Sequence, residues 1–305
     1  MITVLAGGVG AARFLEGLVT VAEEDISIIV NTGDDIEIYG LHISPDIDII
    51  IYTLANMVDK EKGWGIKGDT YNCLIELQKY GYETWFKLGD KDLSTHIFRT
   101  MLLQKGLKLS EITNIERKAF GLRQNILPMT DDKVETSITT KNGRMHFQEY
   151  MVKRGTQDEV LQVNYKGIDS ARPAPGVIES IMQAEKIILC PSNPIVSIGT
   201  ILSVKGVRDS LRVTKSKIIG ISPLIAGKTV KGPADKLMKG LGIEVSAWGV
   251  AKLYSDFLDY FVIDEVDKNL KERIRSLGVK VFVTNTIMKN IEEKIDLANF
   301  ILKVM

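Results

Sequence analysis

Three short clusters carry groups suited to handling phosphate. Gly7, Gly8 and Gly10 follow the apolar run Ile2 to Ala6 and precede apolar residues at helical spacing from Ala11 to Val21, a strand-to-helix turn rich in glycine. Such a turn lets the backbone reach positive φ and approach a ligand closely, and the free N–H groups and dipole of the helix start favour an anion there. A tight βα connection without a ligand uses the same glycines. Asn31-Thr-Gly-Asp-Asp35 leaves a second apolar run, and paired aspartates after a glycine either coordinate Mg²⁺ or bond their own backbone in a turn. Pro191-Ser-Asn-Pro-Ile-Val-Ser197 follows Ile187 to Cys190 and offers hydroxyl, amide and N–H groups for an anion or a base edge, or for helix capping.

Two better-known phosphate loops fit poorly. From Gly8 the chain spells Gly-Val-Gly-Ala-Ala-Arg, a dinucleotide fingerprint whose last glycine is Arg13, and the second strand ends in Asn31 instead of an acidic ribose ligand. A nicotinamide site is disfavoured. Ser222-Pro-Leu-Ile-Ala-Gly-Lys-Thr229 ends like a P-loop but begins with serine and contains proline. A fourth acidic segment, Ser44-Pro-Asp-Ile-Asp48, opens an amphipathic helix in which Asp46 reads as an N-cap and Asp48 as a first-turn acid.

These clusters need a scaffold. Core strands are expected near residues 2–6, 26–31, 186–190, 217–221, 260–264 and 279–284, with helices between, which predicts an α/β fold: a doubly wound, mainly parallel, Rossmann-like sheet. Residues 1–92 and 155–305 form its core. Residues 93–154 are expected to interrupt it as an insertion or lid, with a helix over 94–105 and a hairpin, 134–140 and 144–152, around Asn142-Gly143.

With 39 basic and 39 acidic side chains among 305 residues, the chain has no net field to hold nucleic acid or an anionic membrane. No apolar run reaches the roughly 18 residues of a membrane span, and Cys73 and Cys190 have no metal-type spacing. A cytoplasmic location is expected. The charge is uneven along the chain: ten acids and no base lie between Phe14 and Asp59, nine bases against two acids between Lys205 and Gly240. Much of each is solvated surface, yet an acidic cluster beside a phosphate loop suits a divalent metal, and a basic one the phosphates it would bridge.

Taken together, the glycine loop through Phe14, Asn31–Asp35, Ser44–Asp48, Tyr52-Thr-Leu54, Gly63-Trp-Gly65, Trp85-Phe-Lys-Leu-Gly-Asp-Lys-Asp92 with Thr95-His96, Pro191–Ser197, and Ser222–Thr229 with Lys231-Gly-Pro-Ala-Asp235 run in an order that resembles the 2-phospho-L-lactate transferase (CofD) family. The resemblance covers nearly the whole chain, least between about 105 and 155. It implies an enzyme of coenzyme F-420 biosynthesis that moves a phospholactyl, or in some lineages phosphoenolpyruvyl, group from a guanosine diphosphate conjugate to the deazaflavin Fo, releasing GMP, with Mg²⁺. It further implies a deazaflavin contact on Asp48 and on Lys87, guanine nucleotide on Gly7, Gly8, Val9 and Gly10 and on Ser192, Asn193, Pro194 and Ser197, and a homodimer.

The chemistry agrees with that assignment. Phosphoryl transfer requires alignment and neutralisation of charge, so backbone amides at the glycine loop, a metal on Asp34 and Asp48, and cations such as Lys87 would carry it. His96 in an amphipathic helix reads as structural, and Trp64 and Trp85 as core residues or stacking surfaces. The rival expectation is a nucleotide-sugar-binding regulator similar to gluconeogenesis-factor-like proteins, which share the glycine loop and the Asn-Pro segment. Asp48 and Lys87 separate the two.

Overall fold

A computed structural model describes residues 1–305. Seven parallel strands form the central sheet: β1 (Ile2–Ala6), β2 (Ile26–Val30), β3 (Asn125–Pro128), β4 (Lys186–Leu189), β5 (Lys217–Ile221), β6 (Tyr260–Ile263) and β7 (Lys280–Val283). Their order is β7-β6-β5-β4-β1-β2-β3. The chain thus winds one way from β1 to β3 and the other way from β4 to β7. The switch lies between β1 and β4, where a doubly wound sheet opens a crevice at the carboxyl ends of its strands.

The strands are buried on both faces, which is why they read as continuous Val/Ile/Leu runs. Alternate residues divide between two cores. Ile2, Val4, Ile28 and Ile219 pack beneath α1 (Gly8–Val21), α2 (Pro45–Leu54) and the C-terminal α5 (Ile291–Val304). Leu5, Ile29, Ile187 and Phe261 face the other layer. The helix α3 (Asp90–Gln104) and α4 (Leu109–Ala119) lead into the edge strand β3.

The boundary expected at 93–154 requires correction. β3 lies inside that segment and pairs with β2, so the segment contributes to the main sheet. Four residues ending in proline give a weak strand signal, and proline is tolerated there because β3 is an edge. The expected hairpin forms over Glu135–Thr140 and Gly143–His146 but recruits a third strand, Val160–Lys166, beyond the boundary. Its second strand stops at His146 and gives way to a π-helical turn at Glu149–Lys153. Ile138, Phe147, Tyr150 and Val160 from this region are part of the second core. It is packed structure. No helix is long and apolar enough to cross a membrane.

Candidate active site

The three sequence clusters converge at the switch point. The loop after β1 meets the loop after β4: the Gly7 N–H donates to Ser192 Oγ at 3.3 Å, and a side chain at Gly7 would lie 2.7 Å from Ser197 Cβ. Only Gly8 in this loop has positive φ, 71°. Gly10 is glycine for a different reason, because a Cβ there would fall 2.3 Å from the Pro191 carbonyl oxygen. First-turn amides of α1 have no carbonyl one turn back; Gly8 donates to Asp46, and Val9 and Gly10 line a cavity. Asn193 Oδ1 accepts from the Ile195 and Val196 N–H groups, and Tyr165 donates to the Ile195 carbonyl at 2.7 Å, so the second loop is held from within and from the three-stranded sheet.

The acidic loop is gripped in the same way. Thr136 N–H donates to the Gly33 carbonyl at 2.7 Å and Gln148 Nε2 to the Asp34 carbonyl at 3.4 Å, while His146 Nε2 lies 3.1 Å from the Asp35 carbonyl. The two aspartates then part. Asp35 accepts from Ser44 Oγ at 2.7 Å and sits 3.0 Å from His42 Nε2, tying the loop to the start of α2. Asp34 turns inward, with a buried Oδ1 that has no partner.

Asp46 stands beside Asp34. Ser44 is the N-cap residue of α2, so the capping role expected for Asp46 is not the one it has. Asn31 donates to Asp46 Oδ2 at 2.9 Å, and Asp46 also faces the glycine loop. Burial, and then the neighbouring Asp46 and Asp35 charges, push the Asp34 carboxyl well above the usual range. Asp46 is pushed up to about 7, first by burial, with Asp35 and Asp48 adding to it. Two carboxylates forced together without a cation hold protons that a cation would displace.

Asp48 is placed otherwise. Two residues further along α2, it forms a two-pronged ion pair with Arg99 of α3, whose guanidinium is fully buried and also bonds Glu116 of α4 at 3.1 Å. His96 lies between Asp48 and Asp92, 3.8 Å and 3.2 Å away, and the Tyr52 hydroxyl donates to Asp92 at 2.7 Å. Burial raises the Glu116 carboxyl even with Arg99 beside it. The structure therefore sets Asp34 beside Asp46 and gives Asp48 an arginine. Sequence reasoning missed Arg99 and Glu116. Their signal was faint: an arginine three residues after His96 on an amphipathic helix.

Asp34, Asp46, Asp48, Asp92 and His96 border one cavity of about 740 Å³, in the range of small-molecule sites, and Arg99 and Glu116 stand behind its wall. Its wall includes Gly7 to Gly10, Arg13, Ser192, Asn193, Ser197 and Lys231, together with Trp64, Trp85, Phe86, Lys87 and Met151 and the acids Asp34, Asp46 and Asp48. Pro194 is not on the cavity wall and serves the backbone of its loop. Lys87 is exposed in the cavity mouth. Arg13 and Lys231 were not singled out as site residues from the sequence.

Comparison with known proteins bears on what this cavity serves. Residues 2–297 match the family model described as 2-phospho-L-lactate transferase CofD. The chain is 40% identical to the 2-phospho-L-lactate transferase of Methanocaldococcus jannaschii, over 99% of this chain and 97% of that one. It is 39% identical to the phosphoenolpyruvate transferase of Kitasatospora aureofaciens, over 97% and 95%. A crystal structure of a UPF0052-family protein from Bacillus halodurans superposes with a TM-score of 0.63 at 14% identity, covering 99% of this chain and 98% of that one, which shows a shared fold. This chain belongs to the 2-phospho-L-lactate transferase CofD family and is an enzyme.

Proposed function

We propose that this enzyme transfers a 2-phospholactyl group from lactyl-2-diphospho-5'-guanosine to the terminal ribityl hydroxyl of the deazaflavin Fo, releasing GMP, as a step in coenzyme F-420 biosynthesis. The observation that carries this reading is a single cavity lined by two unlike sets of groups: a glycine loop and hydroxyl-bearing loop suited to a nucleotide, and aromatic residues with Lys87 suited to a flat acceptor. The relatives named for phospholactate and for phosphoenolpyruvate transfer are about equally similar, so a phosphoenolpyruvyl donor is the variant reading.

In this reaction the acceptor oxygen forms a bond to the phosphorus bearing the lactyl group as the bond from that phosphorus to the GMP oxygen breaks, and the hydroxyl proton passes to water or to the departing GMP phosphate. Alignment and charge neutralisation account for most of the catalysis. The first-turn amides of α1 hold the diphosphate, and Ser192, Asn193 and Ser197 lie on the nucleotide side. Lys87 and the aromatic residues hold the acceptor. Asp48, fixed in one orientation by Arg99, accepts a hydrogen bond from the ribityl hydroxyl and aims it.

A divalent cation fits this chain at Asp34 and Asp46. No group of three or more candidate ligand side chains converges anywhere in the molecule. Mg²⁺ commonly takes only one or two carboxylates and completes its shell with water and substrate phosphates. The partnerless Oδ1 of Asp34 and its raised neighbour Asp46 match that donor set. Asp48, proposed from sequence as the second ligand, has Arg99 as its partner, so Asp46 takes that place. Bound there, Mg²⁺ would neutralise charge on the diphosphate.

The test is to mix the protein with Mg²⁺, Fo and the guanylated donor and separate the products. One GMP is expected per phospholactyl-deazaflavin formed. Lys87→Met should raise the KM for Fo at least tenfold while GDP affinity stays within twofold. GMP release that needs no acceptor, or none at all from protein that binds GDP, overturns the proposal and favours a nucleotide-binding regulator.

A further inference from the structure

Arg13 and Lys231 come from distant parts of the chain to the wall of the same cavity, which the glycine loop also lines. Arg13 lies one helical turn beyond Val9 on α1, half-buried. Lys231 lies in the loop after the short hairpin Leu224–Ile225 and Lys228–Thr229, where its Nζ donates to the Lys62 carbonyl at 3.3 Å. Neither has a carboxylate. The acids that could have served are already taken: Glu16 by Lys60 and Lys294, and Asp59 by Lys62. Burial lowers the Lys231 ammonium, and the Arg13 charge lowers it further. Two cations in one cavity wall, near enough for the charge of one to disfavour the other and neither paired with an acid, are an arrangement that an anion would relieve.

Resting on the functional reading above, we propose that Arg13 and Lys231 form a clamp on the phosphate distal to the nucleoside, the phosphate that carries the transferred group. The placement follows from the helix. The nucleoside-side phosphate is met by the first-turn amides, and Arg13 is displaced from them by one turn, about 5.4 Å along the axis, in reach of the next phosphate. A guanidinium presents paired donors to phosphate oxygens, and Lys231 adds a second point charge from the opposite loop. Both charges then sit where negative charge shifts as the leaving group departs, so they are binding residues with a share in the transfer itself. Arg13 thereby stands where a dinucleotide fingerprint has its last glycine, and that arginine is what adapts the loop to this end of the donor.

The experiment is calorimetric titration of GDP, GMP and inorganic pyrophosphate, with Mg²⁺, into the wild-type protein, Arg13→Gln, Lys231→Met and Arg13→Lys, with thermal melts to confirm that each variant is folded. Arg13→Gln and Lys231→Met are each expected to weaken GDP at least tenfold and GMP less than twofold, with Arg13→Lys intermediate. Pyrophosphate should bind the wild type and lose affinity in the same two variants. Unchanged GDP affinity in both variants, or equal losses for GDP and GMP, overturns the clamp. Pyrophosphate binding that depends on Arg13 without any binding of GDP keeps the clamp and overturns the guanine nucleotide reading; no binding of either ligand overturns both.

Discussion

Asp46 and Asp48 are two residues apart on α2, yet one faces a second carboxylate and the other a guanidinium. Because the folded-state pKa of Asp46, about 7, lies above its ordinary 3.8, its contribution to stability is fully present below pH 4 and is lost as pH rises through 7. In chelator, the wild-type melting temperature should therefore fall between pH 5 and pH 8.5, and Asp46→Asn should flatten that fall and melt higher at pH 8.5. The same variant should lose the stabilisation by Mg²⁺, which in the wild type grows with pH because the cation displaces a proton. Asp48→Asn should do the reverse, melting lower by the equivalent of about 3–5 kcal/mol, since it leaves the fully buried Arg99 with Glu116 alone. Differential scanning across pH reads both; a pH-independent wild type, or an Asp48→Asn protein as stable as wild type, contradicts this account of the two acids. The sequence marked these acids as candidates but paired Asp34 with Asp48, where the structure couples Asp34 to Asp46. It did not show their partners, because Arg99 and Glu116 reach Asp48 only through the packing of α3 and α4 on α2.

Element by element, the glycines of α1 do different jobs that spacing alone does not separate. A Cβ at Gly10 would strike the Pro191 carbonyl at 2.3 Å; a Cβ at Gly17, two turns on, would strike the Lys294 carbonyl of α5 at the same distance. Each substitution overpacks a backbone contact, at a cost of about 1–3 kcal/mol. Gly17→Ala should lower the melting temperature and leave GDP affinity unchanged, since that contact holds α1 against α5 away from the cavity. Gly10→Ala should lower both, because the displaced loop carries Ser192 and Asn193. Equal GDP affinity in the two variants would show that the loop after β4 takes no part in the nucleotide site. The long strands and the glycine loop were legible because an apolar run buried on both faces leaves an unbroken signal. β3 was not, being four residues at an edge, and the sheet that grips Gly33 to Asp35 was read as a lid because hydrogen bonds between distant loops leave no periodicity.

At the scale of the whole molecule, the uneven charge along the chain is only partly a property of the site. Of the basic stretch after Lys205, Arg208 and Arg212 pair with Asp256, Lys217 with Asp259, and Lys236 caps the Thr156 carbonyl; Lys231 alone reaches the cavity wall. What the fold does bring together is phosphate-suited loops and aromatic residues around one cavity, and two of the tryptophans report on that cavity. The chain has three. Trp64 and Trp85 line the cavity, Trp85 edge-on to Phe86 with ring centroids 5.7 Å apart. Trp248 lies on another surface, with the Arg273 guanidinium 3.9 Å over its ring. If the flat acceptor stacks on these two rings, adding Fo should quench emission from wild type and Trp248→Phe alike, after correction for absorption by Fo itself. Trp64→Phe and Trp85→Phe should each lose part of the quenching and the double variant nearly all, whereas GDP alone should change the emission little. Quenching that survives in the double variant would place the acceptor elsewhere, and with it the roles proposed for Lys87 and Asp48.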